Sequence, residues 1–285
     1  MIDRWLRADT IGCRIGEGSQ VRLIAMNAQA RHTTVPGRWE GAVKNYEPVM
    51  SFGEDTAKRY DNVERGDEVE AVAWLEQMAK GGPALELAIG TGRIALPLAA
   101  RGIRVDGIDL STAMVAQLST KPGGADIDVT MGDFADVAVP GKYRLIYVVF
   151  NTLFNLLTQD EQVRCFENVA DHLTDDGVFV VEAYVPAFLH RLRDNQYVEA
   201  EAIEVGEVKL DVLRHDMSTQ IIEESHVSLS PAGVRMNPIV QRYAWPAELD
   251  LMARIAGLRL KERWAGWNRG PFTSDSDNLV SVYGR

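Results

Sequence analysis

The sequence predicts an α/β fold built on a doubly wound, mostly parallel sheet, and three observations predict it. Between Leu85 and Met131, short aliphatic runs alternate with stretches of helical period, the pattern of βαβ units whose strands lie parallel. The run Leu145 to Phe150 is apolar apart from its tyrosine, as a strand covered by helices on both faces must be. The loop Gly90-Thr91-Gly92-Arg93-Ile94-Ala95 follows a strand and opens a helix, where such sheets bring backbone amides to a ligand.

Residues 1 to about 40 show little period and contain the turn run Val35-Pro36-Gly37, so they are expected to form an appended segment before a main domain over 41–285. From Phe52 to Met78, residues including Ala57, Tyr60, Val63, Val72 and Leu75 recur at spacings of three and four. This predicts a helix that Gly81-Gly82-Pro83 ends. Strands follow over Leu85–Ile89, Arg104–Ile108 and Ile127–Met131, with helices over Ile94–Ala100 and Thr112–Leu118 between them. After the strand Leu145–Phe150, Thr158-Gln159-Asp160-Glu161 has the form of a capping box for a helix to about Leu173. Asp175-Asp176-Gly177 then turns the chain into a strand over Val178–Tyr184.

Residues 207–243 change the rhythm. Val208, Leu210 and Val212, then Val227 with Leu229 and Val234 with Met236, alternate with polar residues around the turn Ser230-Pro231-Ala232-Gly233. This is an antiparallel insertion, and Pro238, which cannot donate to a ladder, belongs on its edge or at a bulge. Pro246 starts a helix that Gly257 ends, and Leu258–Trp264 and Asn278–Tyr283 are the closing strands.

Composition narrows the function. Over 285 residues the formal net charge is −11, with no segregated basic patch, which argues against a nucleic-acid partner. No apolar run approaches the roughly 18 residues of a membrane span. Met1 to Gln20 lacks the features of a secretory signal, so a cytoplasmic protein is expected. Cys13 and Cys165 stand alone, and no H-E-x-x-H or other metal-ligand spacing occurs, so no metal is expected.

The glycine loop satisfies G-x-G-x-x-G/A, which by itself leaves an NAD site open. Two acids bear on the choice. Glu86, four residues before Gly90, would oppose a pyrophosphate and suit a cationic sulfonium ligand. Asp109 ends the second strand 17 residues beyond Gly92, where a carboxylate accepts ribose hydroxyls. Gly132-Asp133-Phe134 ends the third strand.

With these motifs in register, the sequence resembles the class I S-adenosylmethionine-dependent methyltransferases over roughly Phe52 to Arg285. Glu86 to Gly92 resembles the first family motif, Gly107-Ile108-Asp109-Leu110-Ser111 the second, and Gly132-Asp133-Phe134 the third. The resemblance implies a Rossmann-like, seven-stranded sheet and S-adenosyl-L-methionine as cofactor, with S-adenosyl-L-homocysteine as product. It implies that Gly90 and Gly92 line the methionine part, Asp109 holds the ribose, Met114 packs on adenine beside Leu110, and Asp133 with Phe134 meets the adenine edge. Ala88 stands where many members have glycine, narrowing the methionine pocket, and Arg144 stands where an acid often opens the fourth strand. The insertion before the last helix and strands resembles the small-molecule methyltransferases of actinomycete metabolism, including sugar N-methyltransferases. A small acceptor under the insertion and an N-terminal helical lid follows from that.

Acceptor-side residues belong past the carboxyl ends of the strands. Phe150 is expected to wall the methionine, Asn151 or Asn155 to orient an acceptor, and Tyr184, at the end of the fifth strand, to stand beside them. Tyr46 and Tyr60 are placed to close over the cofactor. Histidine is the base to suspect near neutral pH, and His226, within the insertion, is the candidate. Arg242 and Arg269 are placed to pair with an acidic acceptor. The expected function is methyl transfer to nitrogen or oxygen of a small molecule by a monomer or homodimer. An NAD-dependent oxidoreductase and a non-catalytic S-adenosylmethionine-binding module stay open as alternatives.

Overall fold

The computed structural model describes residues 46–62, 66–136 and 139–285; the segment expected over residues 1–40, with Cys13, lies outside them, as does Val63. Strand β1 (Ala84–Leu87) pairs in parallel with β2 (Val105–Asp109) on one side and β4 (Tyr143–Val148) on the other. Strand β3 (Asp128–Met131) continues the parallel sheet beyond β2, and β5 (Leu173–Tyr184) beyond β4. Strand β11 (Asn278–Gly284) runs antiparallel to β5, and β10 (Arg259–Trp264) antiparallel to β11. The order is β10-β11-β5-β4-β1-β2-β3. The chain therefore leaves β1 in one direction, through β2 and β3, and returns to lay down β4 on its other side. The loops after β1 and β4 diverge there and open a crevice at the carboxyl ends of the strands.

Period two explains the apolar run of β4. Leu145 and Tyr147 join the core beneath one layer of helices, and Ile146 and Val148 join the core beneath the other. The first layer holds α2 (Glu68–Ala79), α3 (Ala95–Ala99) and α4 (Thr112–Ser119); the second holds α5 (Gln159–His172) and α6 (Pro246–Ile255). The capping box opens α5 as expected: the Glu161 amide donates to Thr158 Oγ1 at 3.1 Å and the Thr158 amide to Glu161 Oε2 at 2.9 Å, worth about 1 kcal/mol.

Three expectations are corrected. The helix expected from Phe52 to Met78 is broken into a 3-10 turn (Pro48–Phe52), a short α1 (Glu54–Ala57), a second 3-10 turn (Tyr60–Asn62) and α2. Gly53 and Gly66 punctuate it, the latter at φ 83°, where a helix cannot continue. Second, Asp175-Asp176-Gly177 does not precede the fifth strand. It is carried inside β5, where Tyr143 pairs with Leu173 but Leu145 pairs with Val178, so the extra residues bulge from the ladder. Third, the insertion begins earlier than 207.

That insertion is a separate antiparallel sheet, β6 (Gln196–Ile203), β7 (Val208–Asp216), β8 (Ile221–Ser230) and β9 (Gly233–Arg242), paired in that order. Pro238 lies on the edge strand β9, as a residue without a donor must. Leu213, Ile222 and Tyr243 root the sheet in the core over α5 and α6.

Arg242 supplies the polar root. It is only 6% exposed and donates to Gln162 Oε1 of α5 at 2.7 Å, to Gln220 Oε1 at 3.2 Å and to Glu248 Oε1 of α6 at 2.7 Å. The sequence placed Arg242 against an acceptor; its guanidinium is spent on this network and lines neither cavity described below. Burial raises the Glu248 pKa, but the bonds from Gln220, Arg242 and Gln159 outweigh it and hold it below the ordinary carboxylate value. A depressed carboxyl stabilises the fold above its unfolded pKa and loses that contribution as pH falls. Removing Arg242 leaves Glu248 charged and short of its cation. Arg242→Ala is expected to cost about 3–5 kcal/mol, read as a lowered thermal midpoint at pH 7 that partly recovers toward pH 4.

Candidate active site

The crevice begins at the loop after β1. Ala88, Gly90 and Gly92 all take positive φ, 56°, 58° and 79°, so the chain doubles back tightly enough to aim its amides forward. Ala88 holds a left-handed conformation that costs a residue with a Cβ about 1–2 kcal/mol, which gives the physical reason a glycine suits that position. A Cβ on Gly90 would stand 3.4 Å from Met114 Cε, and one on Gly92 would strike Leu118 Cδ1 at 2.3 Å. Gly90 thus faces the cavity, whereas Gly92 lets the loop pack on α4.

Asp109 fixes this loop to the end of β2. Its Oδ2 accepts from the Gly90 amide at 2.7 Å and its Oδ1 from the Ser111 amide at 2.7 Å. Burial raises its pKa, opposed by these backbone donors. Ser111 caps α4 by accepting from the Met114 amide at 3.2 Å and donates to the Phe52 carbonyl at 2.6 Å.

A cavity of about 240 Å³ opens over these residues. Ala88, Gly90, Asp109, Leu110, Met114, Asp133 and Phe134 line it, with Tyr60 from the preceding segment. Tyr46, Glu47, Phe52, Leu156, Leu157 and Glu161 also line it; nothing in their spacing marked these last five in the sequence. Asp133 Oδ1 accepts from the Ala135 amide at 2.8 Å. Gly132 lies beneath, its amide donating to the Asp109 carbonyl at 2.9 Å.

Among the described residues the lining carries four carboxylates, Glu47, Asp109, Asp133 and Glu161, and no Lys, Arg or His. That set fits a cationic, hydroxyl-bearing ligand with a flat ring against Leu110, Met114 and Phe134, and opposes a pyrophosphate. The same conclusion was expected from Glu86, but for a different reason. Glu86 is 3% exposed, lies outside the lining, and accepts from Tyr147 Oη at 2.9 Å. Burial pushes its pKa up to about 8 despite that bond. It is therefore a neutral carboxylic acid at pH 7 that secures β1 to β4.

A second cavity of about 600 Å³ adjoins the first. Phe52, Tyr60, Thr152 and Asn155 line both. Phe150, Asn151 and Tyr184 reach the larger one from the loops after β4 and β5; the structure does not bring Phe150 to the smaller cavity, where the sequence placed it. Phe150 and Asn151 hold φ 55° and 61°. Their bonds keep that strained turn in place: the Phe150 amide donates to Glu182 Oε2 at 2.7 Å, and Asn151 Oδ1 accepts from the Tyr184 amide at 2.6 Å. Asn151 is thereby a backbone clamp. Burial, then the charge of Glu224, pushes the Tyr184 phenol far above its usual pKa, so Tyr184 acts as a donor, here to Gln241 Oε1 at 3.3 Å, and not as a base.

The remaining wall is one face of the insertion sheet. Cross-strand register brings Asp211 opposite His226 and Leu213 opposite Glu224. His226 Nδ1 lies 3.5 Å from Asp211 Oδ1, His226 Nε2 lies 3.8 Å from Glu224 Oε1, and Tyr197 Oη donates to Asp211 Oδ2 at 2.7 Å. Glu224 is pushed up to about 8 by burial, then by the charge and hydrogen bond of Asp211 and the charge of Glu201. Among the described residues, Asp211, Glu224 and His226 are the one group placed to share a cation, their ligand atoms all within 4.8 Å. Sequence spacing gave no such cluster, because Asp211 joins it only through the register of β7 on β8. The alternation of Glu224 with His226 was the available signal. His215 is buried and lines neither cavity.

Residues 84–177 match the family model described as a methyltransferase domain. Along most of its length the chain is similar to the solved CcbJ methyltransferase from Streptomyces caelestis, at 36% identity, covering 84% of this chain and 99% of that one with a TM-score of 0.78. The chain is a class I S-adenosylmethionine-dependent methyltransferase. It is also similar to a cypemycin N-terminal methyltransferase of a Streptomyces species, 24% identical over 75% of this chain and 88% of that protein. A third relative is the dTDP-3-amino-3,6-dideoxy-alpha-D-glucopyranose N,N-dimethyltransferase of Streptomyces fradiae, 26% identical over 59% of this chain and 67% of that protein. The methyltransferase takes S-adenosylmethionine as its cofactor, and the acid-lined smaller cavity is the place in this chain that fits it. Among the described residues no helix is long and apolar enough to cross a membrane.

Two outcomes are expected. Asp109→Ala removes the carboxylate and the tie to Gly90, and should weaken S-adenosylhomocysteine binding by at least about tenfold in calorimetry; unchanged affinity would contradict this reading of the cavity. Glu86 binds a proton in the fold that it releases when unfolded between about pH 4.5 and 8, so its contribution to stability declines as pH rises through that window. Glu86→Gln should therefore gain on the wild type in thermal midpoint as pH is raised from 5 to 8.

Proposed function

We propose that this methyltransferase acts on a small, amine-bearing acceptor held in the larger cavity, with transfer to nitrogen. One observation carries the reading: Glu224 and His226 line the cavity that adjoins the cofactor cavity, and Asp211 behind them completes a group suited to a cation. At neutral pH an alkyl ammonium is such a cation, and the activities named for two relatives, an N-terminal methyltransferase and an N,N-dimethyltransferase, are in keeping with it. The acidic lining that the described residues give the smaller cavity and the family membership both weigh against an NAD-dependent oxidoreductase. A cytoplasmic location agrees with the substrate class.

When bound, S-adenosylmethionine supplies an electrophilic methyl group on a sulfonium. The chain's own contribution is positioning, which in well-oriented systems corresponds to effective molarities of roughly 10⁵–10⁸ M. Phe52, Tyr60, Thr152 and Asn155 shape the passage shared by the two cavities. Gln241 lies near it, its Nε2 donating to Asn155 Oδ1 at 3.5 Å. The Asp211–Glu224 pair attracts the ammonium, and His226 takes the proton that must leave before the nitrogen lone pair is free. Tyr184 and Tyr197 remain phenols and orient the carboxylates and amides around it.

The test follows labelled methyl transfer to a panel of amines and hydroxyl analogues. His226→Ala is expected to lower the rate about 100-fold with unchanged affinity for S-adenosylhomocysteine; full activity in that variant removes the base and leaves alignment alone. In the wild type kcat/KM for an amine should climb as pH passes about 8, where Glu224 releases its proton and the pair gains its second charge. Asp211, Glu201, His226 and Tyr184 face that carboxyl and stay in Glu224→Gln, which should lose only this portion of the climb. The portion due to the amine itself is common to both enzymes.

A further inference from the structure

The insertion sheet has two faces, and the cavity takes its lining from one of them, Val227 apart. On the other face, cross-strand pairing aligns three rows of four residues, running from Ile203 to Val234, from Ala200 to Met236 and from Val198 to Pro238. Eleven of these twelve positions are apolar, the twelfth is Ser225, none carries a charge, and none is buried. Val198 is 67% exposed, Ile203 77% and Met236 64%. In a chain that is 25% charged, a flat face of this kind is an interaction surface.

We infer that this face packs against the same face of a second copy, forming a two-fold dimer through the insertion sheets. Charge favours that occupant. Each copy carries −11, so two copies repel over most of their surface and approach most easily where charge is absent. The next row holds Arg214 and Glu223 already paired across the strands, so like faces meet without a net charge. Shape agrees: sheets stack face to face about 10 Å apart when both inner faces are apolar, and the faces of the seven-stranded sheet are already covered by helices. So does size. Four strands about 4.8 Å apart and about six residues long project roughly 400 Å², and side-chain relief carries the accessible area toward the roughly 800 Å² per partner of a standard interface. A two-fold isologous contact is the commonest closed arrangement.

Sedimentation and light scattering on the full chain across 1–50 µM protein (about that range, to bracket ordinary dimer affinities) decide the matter. A mass of twice 31.6 kDa is expected. The double variant Val198→Lys with Met236→Lys should raise the dimer dissociation constant about 100-fold or more. Because both side chains are exposed, it should keep the thermal shift given by S-adenosylhomocysteine, which verifies its fold independently. A wild type that stays at 31.6 kDa overturns the inference and assigns the face to other residues of the chain or to a different protein. A dimer that survives the lysines overturns it as well, placing the contact elsewhere.

Discussion

The site depends on one carboxylate, Asp109. By accepting from the Gly90 and Ser111 amides together, it binds the turn after β1 to the start of the helix after β2. Three positive-φ residues in five would otherwise leave that turn loose. Ser111, fixed by the same contact, donates in turn to Phe52, and Thr91 in the glycine loop donates to Asp61 at 2.6 Å. The segment 46–62 is thereby pinned over the crevice from below. From above it is held by Ser51, which donates to the Pro238 carbonyl at 2.5 Å, and by Thr56, which donates to Asn237 Oδ1 at 3.2 Å. A short, irregular stretch of chain thus joins the cofactor loop to the edge of the insertion sheet, which is why Phe52 and Tyr60 can belong to both cavities.

The second constraint is the strained turn at Phe150 and Asn151. Two successive non-glycine residues at positive φ cost on the order of 1–3 kcal/mol each, and the surrounding bonds over-determine them. Glu182 receives the Phe150 amide on one oxygen and Trp267 Nε1 on the other at 2.7 Å. Trp267 is buried against Trp74 with ring centroids 5.7 Å apart. Trp267 therefore serves the site indirectly: it is core, and it anchors the acid that anchors the turn.

What the sequence made legible follows from range. The parallel sheet, the capping box and the residues around the glycine loop are set by periods and spacings within about 30 residues, so alternation and turn chemistry reveal them. The insertion's inner face was not legible in the same way. Asp211 and His226 meet only because a two-strand register places them opposite one another, and the first strand of that sheet, Gln196–Ile203, carries Glu199 and Glu201 and reads as polar chain. Glu86 shows the complementary limit. Its position in the motif was plain, but its neutrality follows from the burial that only the packed sheet provides, which outweighs the opposing bond from Tyr147. Arg242 likewise looked available because the three groups that consume it lie at 162, 220 and 248.

The division of the two cavities has a consequence for how such an enzyme acquires its acceptor. No residue between Gln196 and Arg242 lines the smaller cavity, whereas this stretch supplies half or more of the larger one. The cofactor cradle is built by loops of the parallel sheet, and methyl transfer needs that geometry held constant. The wall of the larger cavity, the proposed acceptor site, is built by strands whose alternate residues can change singly, since a substitution on one face of a pleated strand leaves the backbone ladder and the other face intact. The four shared residues couple the parts: Phe52 and Tyr60 from the segment before the sheet, Thr152 and Asn155 from the turn after β4. On the proposed reading a change of acceptor can be accommodated at Glu224 or His226 while the passage for the methyl group keeps its shape, whereas Asn237, which accepts from Thr56, and Phe52 and Asn155, which line both cavities, cannot change without disturbing it.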